Sequence, residues 1–120
     1  MIGLEEFREF CLNLGSVTEK MPFGKFAKRY ESILAFYIFG HMFCFIDVDN
    51  FTWVNVKSTP SEVADIREKY ISVGNPINQN FRHWIQLEFN GDIHDVELYR
   101  IVRRAFDIVS EKYSKNSRKR

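Results

Sequence analysis

Three apolar segments separated by very short breaks constrain the fold of this chain more than any other feature. Residues 33–39 are continuously apolar and rich in aromatic side chains, "GH" follows, and residues 42–48 are again mostly apolar. Gly40 would take the first central position of a two-residue turn, which is typical of a type II′ hairpin. "DN" marks a second turn before residues 52–57. Strands joined by such short turns must be antiparallel, so the sequence predicts a meander.

Three other segments repeat apolar residues with the period of an amphipathic helix. The first covers residues 4–14 and is followed by Gly15, which can take the left-handed conformation that ends a helix. The second begins at "TPSE", where Thr59 can be the N-cap and a proline takes the first helical position. The third follows "NG", with Asp92 as its expected N-cap, and should end near Tyr113.

Two further strands complete the predicted fold. A short strand is expected in "KFAKRY", and residues 85–89 alternate apolar and polar side chains, which indicates a half-buried strand. Residues 72–82 contain Gly, Pro and three Asn, a composition typical of irregular structure. We therefore predict an α+β fold: a compact single domain over residues 1–113, with about three helices packed on a mainly antiparallel sheet. Residues 114–120 are predicted to form a basic, disordered tail.

Charge is unevenly distributed along the chain. The net charge is +1, but the last ten residues hold five basic side chains and one acidic one. The first 110 residues therefore carry 12 basic and 15 acidic groups, a net charge of −3. A slightly acidic body argues against strong, sequence-independent binding of nucleic acid, which depends on neutralising many phosphates.

Composition and the apolar segments also bear on location and partners. The chain is 45% hydrophobic and 28% charged, as expected of a packed domain. The N-terminal "MIGLEEFREF" is acidic and unlike a signal peptide, and the longest apolar stretch is too short to span a bilayer. Cys11 and Cys44 lie among apolar neighbours and are expected to be buried thiols. The sequence predicts a cytoplasmic protein without a membrane partner, with a monomer favoured.

No catalytic or metal-binding motif is present in the sequence. There is no Gly-rich phosphate loop, no GxSxG and no HExxH. His41, His83 and His94 lack a second ligand at useful spacing, so neither a metal nor another cofactor is predicted. Strand alternation would place His41 and Cys44 on opposite faces, which disfavours a Cys–His pair. We therefore expect a protein that is not an enzyme.

The segment "NFRHWIQLEF" is the most informative candidate site. If Ile85 points into the core, His83 does so too, whereas Trp84 shares the other face with Arg82. Trp84 then either packs under the loop of residues 72–80 or offers an exposed ring beside a guanidinium. An exposed ring could stack a base or hold an anion. Packing is the favoured interpretation, because most aromatic residues next to strands are packing residues.

Two groups of basic residues could contact phosphate. One group is spaced i, i+3, i+4 on the last predicted helix and faces away from its apolar stripe. Local pairing with Glu97 or Asp107 is the alternative role for this group. The other group lies near the first predicted strand. The two groups are Arg100, Arg103 and Arg104, and Lys25, Lys28 and Arg29.

The order of these motifs resembles the YjbR/MmcQ family of small bacterial proteins. The matching segments are "CLNLGSVTEKMPFG", "FGHMFCFI", "VNVKSTPSEVADIREKY" and "LEFNGDIHDVELYRIV", together nearly the whole chain. The most recognisable motif is an asparagine and basic residues followed by His-Trp at a strand, here Asn80, Arg82, His83 and Trp84. The chain departs from the family where "VGNPINQ" replaces Pro-Gly-Tyr-His and where Phe81 and His41 replace basic residues.

The resemblance implies an α+β domain in a double-wing arrangement. Family members are often labelled DNA-binding because of that fold, so a weak DNA partner is what the resemblance implies. The candidate ligand residues are then the Asn80–Trp84 motif and the two basic groups. The alternative is a protein-interaction or small-ligand-binding module that uses the loop before Trp84.

Overall fold

The computed structural model describes residues 2–22, 31–74 and 82–118, with side chains up to residue 114. Within these ranges, three helices pack with a six-stranded, wholly antiparallel sheet of order β1-β2-β3-β4-β6-β5. This arrangement confirms the predicted α+β class and the meander. The elements are α1 (Leu4–Leu12), β1 (Thr18–Lys20), β2 (Ile33–Ile38), β3 (His41–Asp47), β4 (Trp53–Lys57), α2 (Pro60–Lys69), β5 (Val73–Gly74), β6 (Trp84–Glu88) and α3 (Asp95–Arg118).

Neither edge strand of the sheet was among the predicted strands. β1 pairs with β2 through Thr18–Tyr37 and Lys20–Ala35, and the two residues of β5 pair with β6. Both strands are too short to show the apolar alternation by which strands are recognised. The strand predicted in "KFAKRY" falls outside the described residues.

The β2–β3 hairpin turns through Phe39-Gly40, one residue earlier than predicted. Ile38 pairs with His41, so Phe39 and Gly40 are the two central residues. Their φ angles are 54° and 78°. Positive φ at both positions defines a type I′ turn, so the predicted type II′ turn is wrong. Phe39 therefore holds a left-handed conformation that is costly for a residue other than glycine.

A β-bulge in β3 changes which side chains share a face of the sheet. The register shifts after the Phe36–Cys44 pair, which leaves Phe43 as an extra residue. Phe43 and Cys44 consequently both lie in the core on the helix-covered face. His41 is brought to the same face, where its ring stacks on Tyr113 of α3 at 3.4 Å between centroids. The prediction that His41 and Cys44 lie on opposite faces is therefore wrong.

The main core lies between the sheet and the helices, and α1 and α3 supply most of its helical side chains. Phe7 of α1 is fully buried and packs edge-on against Phe36 and Phe89, with centroids 6.2 and 5.5 Å away. Ile85 and Leu87 of β6 are fully buried in the same core, which confirms the predicted inward face of this strand. Each large aromatic ring buries much apolar surface, so a few of them can stabilise the core of a short chain.

The residues after α1 fix that helix to the rest of the molecule. Gly15 was expected in the left-handed conformation, but its φ is not positive and Asn13 is the C-cap. A Cβ at Gly15 would lie 2.9 Å from the ring of Phe106, so any other residue there would have to displace that ring. Arg8 of α1 donates from Nε to Glu19 of β1 at 2.7 Å. This hydrogen bond lowers the pKa of Glu19.

Asp92 ties two loops together rather than capping α3. The helix begins at Asp95, so Asp92 lies too far upstream to act as the predicted N-cap. Its carboxylate instead accepts hydrogen bonds from the backbone N–H groups of Ile71 and Ser72, both at 2.8 Å. These bonds lower the pKa of Asp92. The loop after α2 is thereby fixed to the connection between β6 and α3.

α3 is longer than predicted. It continues past Tyr113 to Arg118 and takes in residues 114–118 of the segment predicted to be a tail. Across the described part of the chain, no helix combines the length and the apolar character needed to cross a membrane.

Candidate functional site

The His-Trp motif lies at the start of β6 and is tied to the end of β4. The carbonyl of His83 accepts a hydrogen bond from the N–H of Ser58 at 2.8 Å, and Trp84 is the cross-strand partner of Lys57. Trp84 lies on the face opposite Ile85, as alternation predicts, and only 7% of its surface is exposed. Arg82 is exposed, and Asn80 lies outside the described residues.

Trp84 belongs to a second apolar cluster on the face of the sheet away from α1 and α3. Its ring centroid lies 5.7 Å from that of Phe45, which in turn lies 6.1 Å from Trp53. Ile33 and Ala35 complete the buried part of this cluster. The described contacts of Trp84 are thus with the sheet itself. Most of the loop against which it was predicted to pack, residues 75–80, lies outside the described ranges.

Asn55 is enclosed at the centre of this second face. Its cross-strand partners are Phe45 and Gln86, and it has no exposed surface. Neither its amide nitrogen nor its amide oxygen has a hydrogen-bond partner in the part of the chain that the structure describes. A buried amide without partners costs about 1–3 kcal/mol. Asn55 is therefore a destabilising residue between two buried valines, Val54 and Val56.

Lys57 connects this second face to a groove on the other side of β4. Its Nζ lies 5.5 Å from the centroid of the Trp84 ring, within the range of a cation–π contact. Partial burial, and secondly the charge of Lys112, lower the pKa of the Lys57 ammonium group. The surroundings of Lys57 thus disfavour the charged form of its ammonium group relative to water.

The groove opens between α2 and α3 at the end of β4 and has a volume of about 220 Å³. Its lining combines apolar side chains with charged groups of both signs. The lining residues are Lys57, Ser58, Glu62, Asp65, Ile66, Lys69, Tyr70, Glu97, Arg100, Ile101 and Arg104. We refer to this feature as the α2–α3 groove.

One wall of the groove carries an ion pair between the two helices. Arg104 donates from Nε and Nη2 to the two carboxylate oxygens of Glu62, at 2.9 and 3.2 Å. Glu62 also accepts from the hydroxyl of Thr59, whose side chain caps α2 as predicted. The bond from Arg104, and secondly that from Thr59, lower the pKa of Glu62. Glu62 is held ionised and links α2 to α3.

A second ion pair lies one turn earlier on α3. Arg100 donates from Nε to Glu97 at 2.8 Å, and its Nη2 bonds the other carboxylate oxygen. This pair was the predicted local alternative for Arg100. Arg100, and to a smaller extent Lys69, lower the pKa of Glu97. Arg103 is exposed and does not line the groove.

The structure thus brings together only part of the predicted site. Arg100 and Arg104 line the groove, and the His-Trp motif is connected to it through Ser58 and Lys57. The first basic group, Lys25, Lys28 and Arg29, lies outside the described residues. Sequence reasoning missed the groove residues Lys57, Glu62 and Lys69, and also Asn55. The one sequence feature that could have pointed to the groove was the position of Lys57 between a predicted strand and a predicted helix cap.

Fold and site together define a small α+β protein whose antiparallel sheet carries helices mainly on one face and a mixed-charge groove at one end. The model of the YjbR family matches residues 12–108, and the chain therefore belongs to the YjbR family. No curated protein matches the chain.

Several solved structures have the same fold. A Deinococcus radiodurans protein, DR2400, with a DUF419 domain is similar with a TM-score of 0.81 at 20% identity, over 93% of this chain and 81% of that one. A crystal structure from Pseudomonas syringae gives a TM-score of 0.71 at 16% identity, over 90% and 99% of the two chains. A solution structure from the same organism gives 0.67 at 16% identity, over 90% and 93%. At these identities the likeness shows the fold alone.

Proposed function

We propose that this YjbR protein is a non-enzymatic, cytoplasmic protein that binds a small organic ligand in the α2–α3 groove. The observation that carries the proposal is the groove itself, a concavity in which apolar walls meet several converging polar groups. Ligand sites in proteins have this mixed character. The groove is smaller than a typical drug-sized pocket of roughly 300–1,000 Å³, so its ligand should be small.

The contacts of the arginines favour this function over DNA binding, which the family resemblance suggests. Arg100 and Arg104 are each paired with a glutamate, so these ion pairs add no net positive charge that would attract the phosphates of DNA. The first 110 residues carry a net charge of −3. Few cations then remain to replace the counterions of DNA, and affinity would be low.

The state of the groove carboxylates favours binding over catalysis. Glu62 and Glu97 both have a lowered pKa because an arginine bonds each of them. A general acid or base that works near neutral pH usually has its pKa shifted towards 7, in the opposite direction. The groove residues are thus better suited to hold a ligand than to exchange a proton with it.

Protein-observed NMR tests the proposal directly. Uniformly ¹⁵N-labelled protein is titrated with a library of small acids, bases and neutral compounds, and backbone shifts are mapped. We expect bound compounds to shift the amides of residues 57–58, 65–70 and 97–104. Binding that maps elsewhere, or no binding across the library, would contradict the proposal.

A matched pair of tryptophan variants provides the control. Ile66→Trp places an indole in the groove, whereas Val96→Trp places one on α3 at an exposed site outside it. Both proteins should give dispersed spectra, but the groove shifts should be lost only in Ile66→Trp. Equal binding by the two variants would show that the groove is not the site.

A further inference from the structure

We infer that the ligand of the α2–α3 groove is a small organic anion with an apolar body, such as a carboxylate on an aromatic or branched framework. This inference rests on the proposed function, because it specifies the chemistry of the same site. Its basis is the balance of charge in the groove, the free edges of two fixed guanidinium groups, and the apolar walls.

Cations outnumber acids in the lining of the groove. It contains four basic side chains and three acidic ones. Two of the acids, Glu62 and Glu97, are already engaged by arginines, which leaves Asp65 as the remaining carboxylate. Lys57 and Lys69 are the other two basic residues of the lining, so a single negative charge on the ligand would balance its formal charge.

The two guanidinium groups are held in place with donors to spare. Arg100 and Arg104 each use Nε and Nη2 on a glutamate. A guanidinium carries five N–H donors, and Nη1 of both residues has no partner among the described side chains. Because the glutamates already orient the planar forks, a second carboxylate would find these donors partly pre-arranged.

Lys57 would gain most from such a ligand. Its ammonium group is half-buried, rests over the ring of Trp84, and lies close enough to Lys112 to be repelled by it. A carboxylate in the groove would offset both the burial and the repulsion, and so raise the lowered pKa of Lys57. A neutral ligand of the same shape would not offset the burial of the Lys57 ammonium group or its repulsion by Lys112.

The apolar walls require more than a bare inorganic anion. Ile66 of α2, Tyr70 at the C-cap of α2 and Ile101 of α3 all line the groove. Burying the body of a ligand against such walls yields about 25 cal/mol per Å² of apolar surface. Phosphate has no apolar surface and should therefore bind more weakly than an aromatic carboxylate.

Benzoate and its neutral isostere benzamide separate the contributions of charge and shape. Dissociation constants are measured by ¹⁵N shift titration of the full chain at pH 7 and low salt, with inorganic phosphate as a third probe. We expect benzoate to bind in the groove at least tenfold more tightly than benzamide or phosphate. Arg100→Gln should weaken benzoate binding severalfold, whereas Arg103→Gln, its neighbour outside the groove, should leave it unchanged.

The outcomes distinguish this inference from the proposed function. If benzamide shifts the groove amides as strongly as benzoate, the ligand does not need a negative charge. The inference is then wrong, while the small-ligand function stands. If phosphate binds as tightly as benzoate, the requirement for an apolar body is wrong. If none of the three binds while neutral library compounds still map to the groove, the inference fails alone. If Arg100→Gln and Arg103→Gln weaken benzoate binding equally, the loss comes from the change in overall charge. Arg100 would then not contact the ligand, and its assigned role would be wrong.

Discussion

Replacing Asn55 with valine should stabilise this protein, which is the reverse of the usual result for a fully buried residue. Asn55 lies in the central strand β4 with no exposed surface, and both polar atoms of its amide lack a partner within the described residues. Val54 and Val56, its neighbours in β4, are also fully buried. Asn55→Val removes the uncompensated amide and inserts a side chain that favours central strands.

The expected gain follows from the cost of the amide. Leaving a buried polar group unsatisfied costs about 1–3 kcal/mol, and removing the group recovers that cost. Valine is slightly larger than asparagine, and overpacking against Phe45 or Gln86 would offset part of the gain. We therefore expect a net stabilisation of about 1–2 kcal/mol, or a rise in Tm of roughly 3–10 °C for a domain of this size.

Urea unfolding followed by far-UV circular dichroism measures this difference. The midpoint should rise while the slope m stays constant, because the surface exposed on unfolding hardly changes. Asn55→Ala separates the two contributions, since it removes the amide but leaves a cavity, and its stability should lie below that of Asn55→Val. A loss of more than about 1 kcal/mol in Asn55→Val at constant m would refute the reasoning, because it would mean that the amide has partners in solution.

Three other variants test separate parts of the fold. Leu87→Ala should cost about 2–5 kcal/mol in urea unfolding, because it removes a fully buried side chain from the main core, and a cost below 1 kcal/mol would contradict the packing. Phe39→Asn should stabilise by about 1 kcal/mol, since asparagine tolerates the positive φ of a type I′ turn; a loss of stability would show that the aromatic ring contributes more than its strain costs. Glu19→Gln should be less stable than wild type at neutral pH, because Arg8 lowers the folded pKa of Glu19 and the pair stabilises fully above the unfolded pKa of glutamate. That difference should vanish as pH falls through the lowered pKa, and a difference that persists at pH 2 would exclude this ion pair as its source.

The sequence predicted well those features that depend on local patterns. Alternation in residues 85–89 correctly placed Ile85 and Leu87 in the core and Trp84 on the other face. The cap at Thr59 and the pair between Glu97 and Arg100 are also local, since each joins residues within one turn of a helix.

Features set by long-range packing were missed. A single extra residue at Phe43 reverses the expected face of His41, and a one-residue bulge leaves no signature in composition or period. The link between Glu62 and Arg104 joins positions 42 residues apart. The groove depends on how α2 and α3 pack, so its lining could not be assembled from the spacing of residues along the chain.

We propose that this protein binds its ligand in the α2–α3 groove and does not bind the phosphates of DNA through its folded domain, and the salt dependence of duplex binding tests this claim most directly. A fluorescein-labelled 20-base-pair duplex is titrated with the full chain while anisotropy is recorded at several salt concentrations. The matched variants are Arg82→Ala and a chain in which Lys115, Arg118, Lys119 and Arg120 are replaced by glutamine. Each neutralised phosphate adds about −0.9 to the slope of log affinity against log salt, so contacts by these four residues give a slope of roughly −4.

We predict weak binding with that slope, which disappears in the glutamine variant and is unchanged by Arg82→Ala. Micromolar or tighter binding by the glutamine variant, lost when Arg82→Ala is added to it, would contradict the account and place a DNA site on the folded domain.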